Sequence, residues 1–389
     1  MRLDKLWLTD FRSYESAELP LAPGLTAILG PNGRGKTNLL EAVGWLATLS
    51  SFRGAPNDVL VRAGAASAVL RCEGTVERQG PDGAVAETGR SLLIEAEIAG
   101  SRPRVLVNKQ RLARARDLLG HVRVTVFAPE DLELVKGGPS ERRRYLDDLL
   151  VSLHPRYDLV RTDVDRVLRQ RNALLKQVRG RLDESAELTL DVFDAKLGAA
   201  GEELARLRVA LVDRLGPAVR ASYAAVAVGA DTRAEVGLAH DSAWHGRDGG
   251  LAHALAVARA DDLRRGSSTV GPHRDDVALT IGGLPARSHA SQGEQRSLAV
   301  ALRLASHQVV TETVGMSPVL LLDDIFSELD PGRCDALLEA LPPGQALLTS
   351  ASGMPPGARP EQVLHVTATD LPGGGVRSSV APGPPGDQR

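Results

Sequence analysis

Three short stretches carry side chains suited to phosphate chemistry. GPNGRGKT at 30–37 fits G-x-x-x-x-G-K-[ST] and falls between the apolar run LTAIL and the helically spaced KTNLLEAVGWLATLS. Glycines there let the backbone wrap phosphates, the lysine reaches the β- and γ-phosphates, and the hydroxyl can bind Mg²⁺. The ATP-binding candidates in this loop are Gly30, Pro31, Asn32, Gly33, Arg34, Gly35, Lys36 and Thr37. LLLDDIFSELD at 320–330 places two carboxylates at the end of an apolar run. Asp323 is positioned to hold Mg²⁺ together with Thr37, and Asp324 stands where a water-polarising base would. Lys36, Asp323 and Asp324 are thus the catalytic candidates, with ATP and Mg²⁺ as cofactors. A third stretch, SQGEQR at 291–296, precedes the apolar run SLAVALRLASHQVV. A Ser and a Gly ahead of a helix make a second anion site, and it lies 255 residues (291 − 36) beyond Lys36.

Holding these groups takes strands that end at them and helices that begin at them. LDKLWL and LTAIL read as strands, as do AVLRCEGTV, SLLIEAEIA and RVLVNK, with a turn at 79–83. From about Ser140 the pattern is helical for over a hundred residues, with helices expected near 145–153, 158–179 and 188–215. Strands return at 277–281, 319–324, 345–350 and 363–366, with a helix at about 294–313. Short apolar runs alternating with helices predict an α/β fold, its sheet covered on both faces. The helical segment is enclosed between the two halves of that domain. The Gly/Pro-rich end, PGGGVRSSVAPGPPGDQR, has the composition of a disordered tail.

Composition narrows the setting. The hydrophobic share of 43% is that of an ordinary globular chain. No run of 18 apolar residues and no signal-peptide core appear, so a cytoplasmic location without membrane contact is expected. Two cysteines, Cys72 and Cys334, make neither a disulfide framework nor a metal cluster. A formal net charge of −2 excludes an indiscriminate polycation. Locally the balance differs. Arg102, Arg104, Lys109, Arg111, Arg114, Arg116 and Arg123 face only Asp117, which leaves +6 (7 − 1). Eight basic residues between Arg156 and Arg181 face three aspartates, which leaves +5 (8 − 3). Either stripe could neutralise DNA phosphates, and either could be a solvated helix face with local ion pairs. Aromatic content of 3% is too low for a stacking platform along single strands, so contact with the duplex backbone is favoured. Arg142–Arg144 reads as internal ion pairing. His273 reads as structural or nucleotide-sensing, since no second His or Cys lies at ligand spacing.

The order of the three phosphate motifs resembles that of the ABC-type ATPases. SQGEQR resembles their signature motif, and SELD, with Ser327 and Asp330, resembles their D-loop. The 255-residue separation is too long for a compact transporter ATPase and too short for an SMC protein with long coiled-coil arms. DFRSY at 10–14, FAPEDLELVKGGPSERRRYLDDLL at 127–150 and VGPHRDD at 270–276 are similar to the bacterial RecF family, over Leu3 to about Ser350. The resemblance implies an ABC-type head at 1–125 and 266–370 and a mainly helical arm at 126–265, and composition leaves 371–389 as the disordered tail. It implies phosphate contacts from Gly33, Gly35, Lys36, Thr37 and Asn38, and nucleotide contacts from Arg12 and Ser13. It further implies that Ser291, Gln292, Gly293 and Glu294 cap the ATP of a second copy in a head-to-tail homodimer. Expected partners are DNA, RecO and RecR, with RecA loading at single-stranded gaps as the outcome and slow ATP hydrolysis as the reset. Two departures from the ABC pattern stand out: no glutamine falls around Val124–Pro129, and TSASG ends the last core strand where many relatives have a histidine. A transport ATPase subunit and an SMC-like structural ATPase are the competing identities.

Overall fold

The computed structural model describes residues 1–76, 89–100, 102–178, 180, 182–227, 235–372 and 374–383. The turn expected at 79–83 lies outside them. The chain divides into two compact units, one comprising Met1–Asp131, Ala221–Thr232 and Ser297–Arg389, the other Leu132–Arg220 and Arg233–Arg296.

The first unit opens with strands β1 (Arg2–Phe11), β2 (Tyr14–Pro20) and β3 (Leu25–Leu29), then helices α1 (Lys36–Thr48) and α2 (Asn57–Leu60). Strands β4 (Ala68–Val76), β5 (Arg90–Ile98), β6 (Arg104–Val107), β7 (Gln110–Arg111) and β8 (Val124–Phe127) follow. Alternation of buried and partly exposed residues along β4 and β5 is what a sheet with one covered face requires. These strands form an antiparallel sheet in the order β2-β1-β4-β5-β6-β7, so the β6–β7 hairpin is its edge.

In the second unit lie helices α3 (Glu133–Lys136), α4 (Pro139–Leu153) and α5 (Tyr157–Val178), and the first part of the 43-residue α6 (Glu184–Val226). Strand β9 (Val236–Asp241), helix α7 (Gly250–Arg265), strands β10 (Asp276–Ile281) and β11 (Leu284–Pro285), and helix α8 (Ala286–His289) complete it. Helix α9 (Gln292–Val314) starts in this unit and runs into the first. α6 is longer at both ends than the apolar spacing predicts, α7 falls within the expected helical arm, and β9 was not anticipated. The helical pattern from Ser140 onward is interrupted by β9, which gains its strand conformation from pairing with β10 through Asp241–Asp276 to Val236–Ile281. That partner lies 40 residues away, beyond any window of local periodicity.

Back in the first unit, β12 (Val319–Asp323), helix α10 (Pro331–Ala340), β13 (Ala346–Ser350), β14 (Gln362–Asp370) and β15 (Val376–Pro382) complete the chain's elements. The second six-stranded sheet has the order β15-β14-β3-β13-β12-β8. All its pairings are parallel except β14 with β15. β12 and β13 are buried along their whole length, as both-face coverage demands. Leu39, Leu40, Val43 and Leu46 of α1 share one core with Leu3, Leu6 and Leu8 of β1 and with Leu321 and Leu347 of the parallel sheet.

The expected tail is corrected here. Residues 376–382 pair with β14 from Asp370–Val376 to Leu364–Pro382. Two of the glycines that signalled disorder, Gly374 and Gly375, lie between the two strands with φ of 93° and 91°. Residues 384–389 lie outside the described chain.

Candidate nucleotide-binding site

β3, β13 and β12 are parallel neighbours, so their carboxyl ends converge at one edge of the sheet. Ligands in open α/β sheets bind at such an edge. The phosphate loop leaves β3 after Leu29, and Asp323 ends β12 opposite Thr349 of β13. At Gly30 φ is 153°, and a Cβ there would lie 2.3 Å from the Val366 carbonyl oxygen. Only glycine lets the loop pass that close to β14.

The loop and the acidic pair meet directly. Thr37 Oγ1 donates to Asp323 Oδ1 at 2.9 Å, and Thr349 Oγ1 donates to the same oxygen at 2.7 Å. Asp323 is only 5% exposed, and burial pushes its carboxyl above the usual carboxylate range against those two hydrogen bonds. Lys36, also 5% exposed, turns back over its own loop. Its Nζ donates to the Pro31 carbonyl at 3.0 Å and to Asn32 Oδ1 at 3.4 Å. Burial pulls this ammonium below the usual lysine range, opposed by the charges of Asp324 and Asp323. A lysine so placed can exchange a carbonyl for a phosphate oxygen without moving its stem.

Asp324 takes a left-handed conformation, φ 48° and ψ 23°, which Asp tolerates better than most residues. Its backbone N–H donates to Thr349 Oγ1 at 3.0 Å, and Ser327 Oγ donates to its carbonyl at 2.7 Å. Its Oδ1 is buried with no hydrogen-bond partner among the described residues. A buried oxygen without a donor, on the residue that follows the threonine-bound Asp323, fits a site that a hydrated Mg²⁺ and a water would complete. Thr37 and Asp323 would hold the ion, and Asp324 would accept from the water.

Arg12 and Ser13 are brought to α1 in different ways. The Arg12 guanidinium forms a two-point ion pair with the fully buried Glu41, at 2.7 and 2.6 Å, and donates to the Val59 carbonyl. Glu41 lies one helical turn past Thr37, and nothing in the motif singled it out. Ser13 Oγ accepts from Asn38 Nδ2 at 2.9 Å, so Asn38 faces the β1–β2 turn.

Ser291, Gln292, Gly293 and Glu294 stand at the start of α9. The Ser291 N–H donates to Glu294 Oε2 at 2.7 Å, and the Glu294 N–H donates to Ser291 Oγ at 3.3 Å. This reciprocal pair is a capping box, a role for Glu294 visible in the S-x-x-E spacing. Gln295, buried, ties the helix start to α8 through the Ala286 and Arg287 carbonyls. Asp330 caps α10 by accepting from the Arg333 N–H at 3.0 Å, while Ser327 is exposed.

The two basic stripes part company. Arg102, Arg104, Lys109, Arg111 and Arg114 are exposed and Arg116 partly so, all on or beside the edge hairpin β6–β7. Two are partly balanced, Arg104 by Glu97 at 3.4 Å and Arg114 by Asp117 at 3.6 Å. The 156–181 stripe does not hold together. Arg171 is wholly buried between Asp194, Asp262 and Ser268. Arg161 bonds Asp148 and Asp158, Arg166 bonds Asp163, and Arg179 and Arg181 lie outside the described residues. Arg142 binds Asp276 through two bonds, Arg143 binds the Asp275 carbonyl and Arg144 pairs with Asp148, in line with internal pairing. His273 Nε2 lies 3.1 Å from the Ser268 carbonyl, and no group of three metal-ligating side chains occurs among the described residues.

A mainly parallel sheet ending at both a phosphate loop and an acidic pair, beside an antiparallel sheet, is the architecture of an ABC-type ATPase head. The RecF/RecN/SMC N-terminal domain model matches residues 2–347. The "DNA replication and repair protein RecF" of Arthrobacter sp. (strain FB24) is 43% identical over 90% of this chain and 93% of its own. That of Streptomyces avermitilis is 44% identical over 90% and 94%. The chain belongs to the RecF family of DNA replication and repair proteins. Its structure matches that of the recombination mediator protein RecF bound to ATP, in the RecFOR pathway, with a TM-score of 0.82 and 28% identity over 94% of this chain and 95% of that one. An Smc head bound to the C-winged helix domain of ScpA shares the fold, with a TM-score of 0.54 and 16% identity over 98% of each chain.

Proposed function

We propose that this chain is an ATP-switched DNA-binding protein of recombinational repair. ATP bound in the loop at 30–37 pairs two copies head to tail, and slow hydrolysis separates them. The observation that carries this is the Thr37–Asp323 contact, which joins the phosphate loop to the acidic strand end beside the unsatisfied Asp324 Oδ1. Lys36 would release the Pro31 carbonyl to bind β- and γ-phosphate oxygens, and loop N–H groups would bind the rest. Mg²⁺, when bound, neutralises charge on those oxygens. Asp324 orients the attacking water and accepts its proton. Ser291 and Gly293, exposed and partly exposed at the start of α9, would donate to the γ-phosphate held by the other copy, where the positive helix end favours an anion.

A base one methylene shorter than glutamate, with no histidine in TSASG, favours a timer over a motor, with turnover below about 1 s⁻¹. DNA would run along the β6–β7 edge. RecO and RecR are the partners that membership of the family supports, and RecA loading at gaps is the outcome. Among the described residues no helix is long and apolar enough to cross a membrane, and the competing transport ATPase has no support from the family match.

Sedimentation tests the switch. With ATP, and with hydrolysis blocked by Asp324→Asn, the chain should move as a dimer, and adding Ser291→Arg should return it to monomer. A monomer under the first condition would overturn the proposal.

A further inference from the structure

The C-terminal strand, expected to be tail, lies against the phosphate loop. Ser378 of β15 is 2% exposed. Its backbone N–H donates to the Ser13 carbonyl at 2.9 Å, so β15 is held to the β1–β2 turn as well as to β14. Its hydroxyl lies 2.7 Å from the Arg34 carbonyl oxygen and 2.7 Å from Ser13 Oγ. One O–H donates once. It serves the Arg34 carbonyl and Ser13 Oγ in turn, and Ser13 Oγ accepts from Asn38 Nδ2 as well.

The bond from Ser378 to the Arg34 carbonyl fixes a peptide plane. In a trans peptide the C=O and the following N–H point in opposite directions. Drawing the Arg34 carbonyl toward Ser378 therefore turns the Gly35 N–H away from β15, toward the inside of the loop. The next carbonyl, that of Gly35, accepts from Tyr14 Oη at 3.2 Å and from the Asn38 N–H at 3.1 Å, which aims the Lys36 N–H the same way. Gly35 itself has φ 104°, and a Cβ there would lie 2.5 Å from Ser378 Oγ and 2.9 Å from Ser13 Oγ. Its lack of a side chain is what lets β15 come this close.

We infer, taking the loop to bind ATP as proposed above, that the β14–β15 hairpin is part of the nucleotide site and that Ser378 is a positioning residue which orients the Gly35 N–H toward the phosphates. Loss of this one hydrogen bond is worth about a three- to tenfold change in affinity.

Equilibrium binding of ATP and of ADP, measured by calorimetry on the full chain, tests this. Ser378→Ala should weaken both nucleotides about three- to tenfold, leaving the nucleotide-free melting temperature near that of the unsubstituted chain. Ser378→Cys, which fills the space with a poorer donor, should fall between. Ser379→Ala, exposed on the same strand, should bind as the unsubstituted chain does. If Ser378→Ala fails to fold, the Cys variant decides by the same measurement. Unchanged affinity in whichever of the two folds would overturn the inference, and a wider loss that tracks a lowered melting temperature would do the same. Failure of the unsubstituted chain to bind ATP would instead remove the proposed function.

Discussion

Asp323 accepts from Thr37 and Thr349 at a nearly closed strand end, where burial raises its carboxyl above the ordinary range. Between the unfolded value of about 3.9 and the higher folded one, the folded chain holds more protons than the unfolded chain. Stability of the nucleotide-free protein therefore falls as pH rises through that interval and is level above it. An uncharged isostere avoids the cost. Asp323→Asn should melt no lower than the parent at pH 7, and the parent should lose its deficit as pH is brought down toward 4. The same substitution should abolish Mg²⁺-dependent ATP binding. A variant both less stable and still Mg²⁺-dependent in its binding would show that the carboxylate is not held for a cation. At this scale the sequence was highly legible, because GKT and DD are local words. Glu41 was not, since its tie to Arg12 joins residues 29 apart and Glu41 itself belongs to no motif.

Among the elements, α5 shows how one type of residue serves two ends. Arg166 is exposed and paired with Asp163 a turn away, whereas Arg171 is buried and joins α5 to α6 through Asp194 and to the end of α7 through Asp262. Removing the buried guanidinium takes the counter-charge from the buried Asp262, while Asp194 keeps Arg259. Arg171→Ala should cost about 3–5 kcal/mol in urea unfolding, and Arg166→Ala no more than about 1 kcal/mol. Equal, small losses would mean that water replaces the Arg171 network. Charge counting along the chain gave both arginines the same weight, because it carries no measure of depth. Likewise β15 was hidden by the glycines and prolines around it: an edge strand needs little hydrophobic alternation to form.

For the whole molecule, charge distribution and pairing of copies matter most. The basic side chains of β6, β7 and the turn after them sit on a sheet edge, while in the 156–178 set Arg161, Arg166 and Arg171 are each paired with aspartates of the chain. Duplex binding followed against salt should therefore respond to Lys109→Ala and Arg111→Ala. Each should lower the slope of log K against log salt by about one, and Arg166→Ala should leave it unchanged. The reverse pattern would place DNA on the helices instead.

The sequence by itself determined the phosphate loop, the acidic strand end, the second helix start and the family, because each is written in contiguous residues whose chemistry has few other uses. The tertiary structure decided which charges remain exposed, which carboxylate is left unsatisfied, and that the C-terminal strand lies against the loop. Those depend on burial and on partners up to 365 residues apart, and depth and distant pairing are set only when the chain has closed on itself.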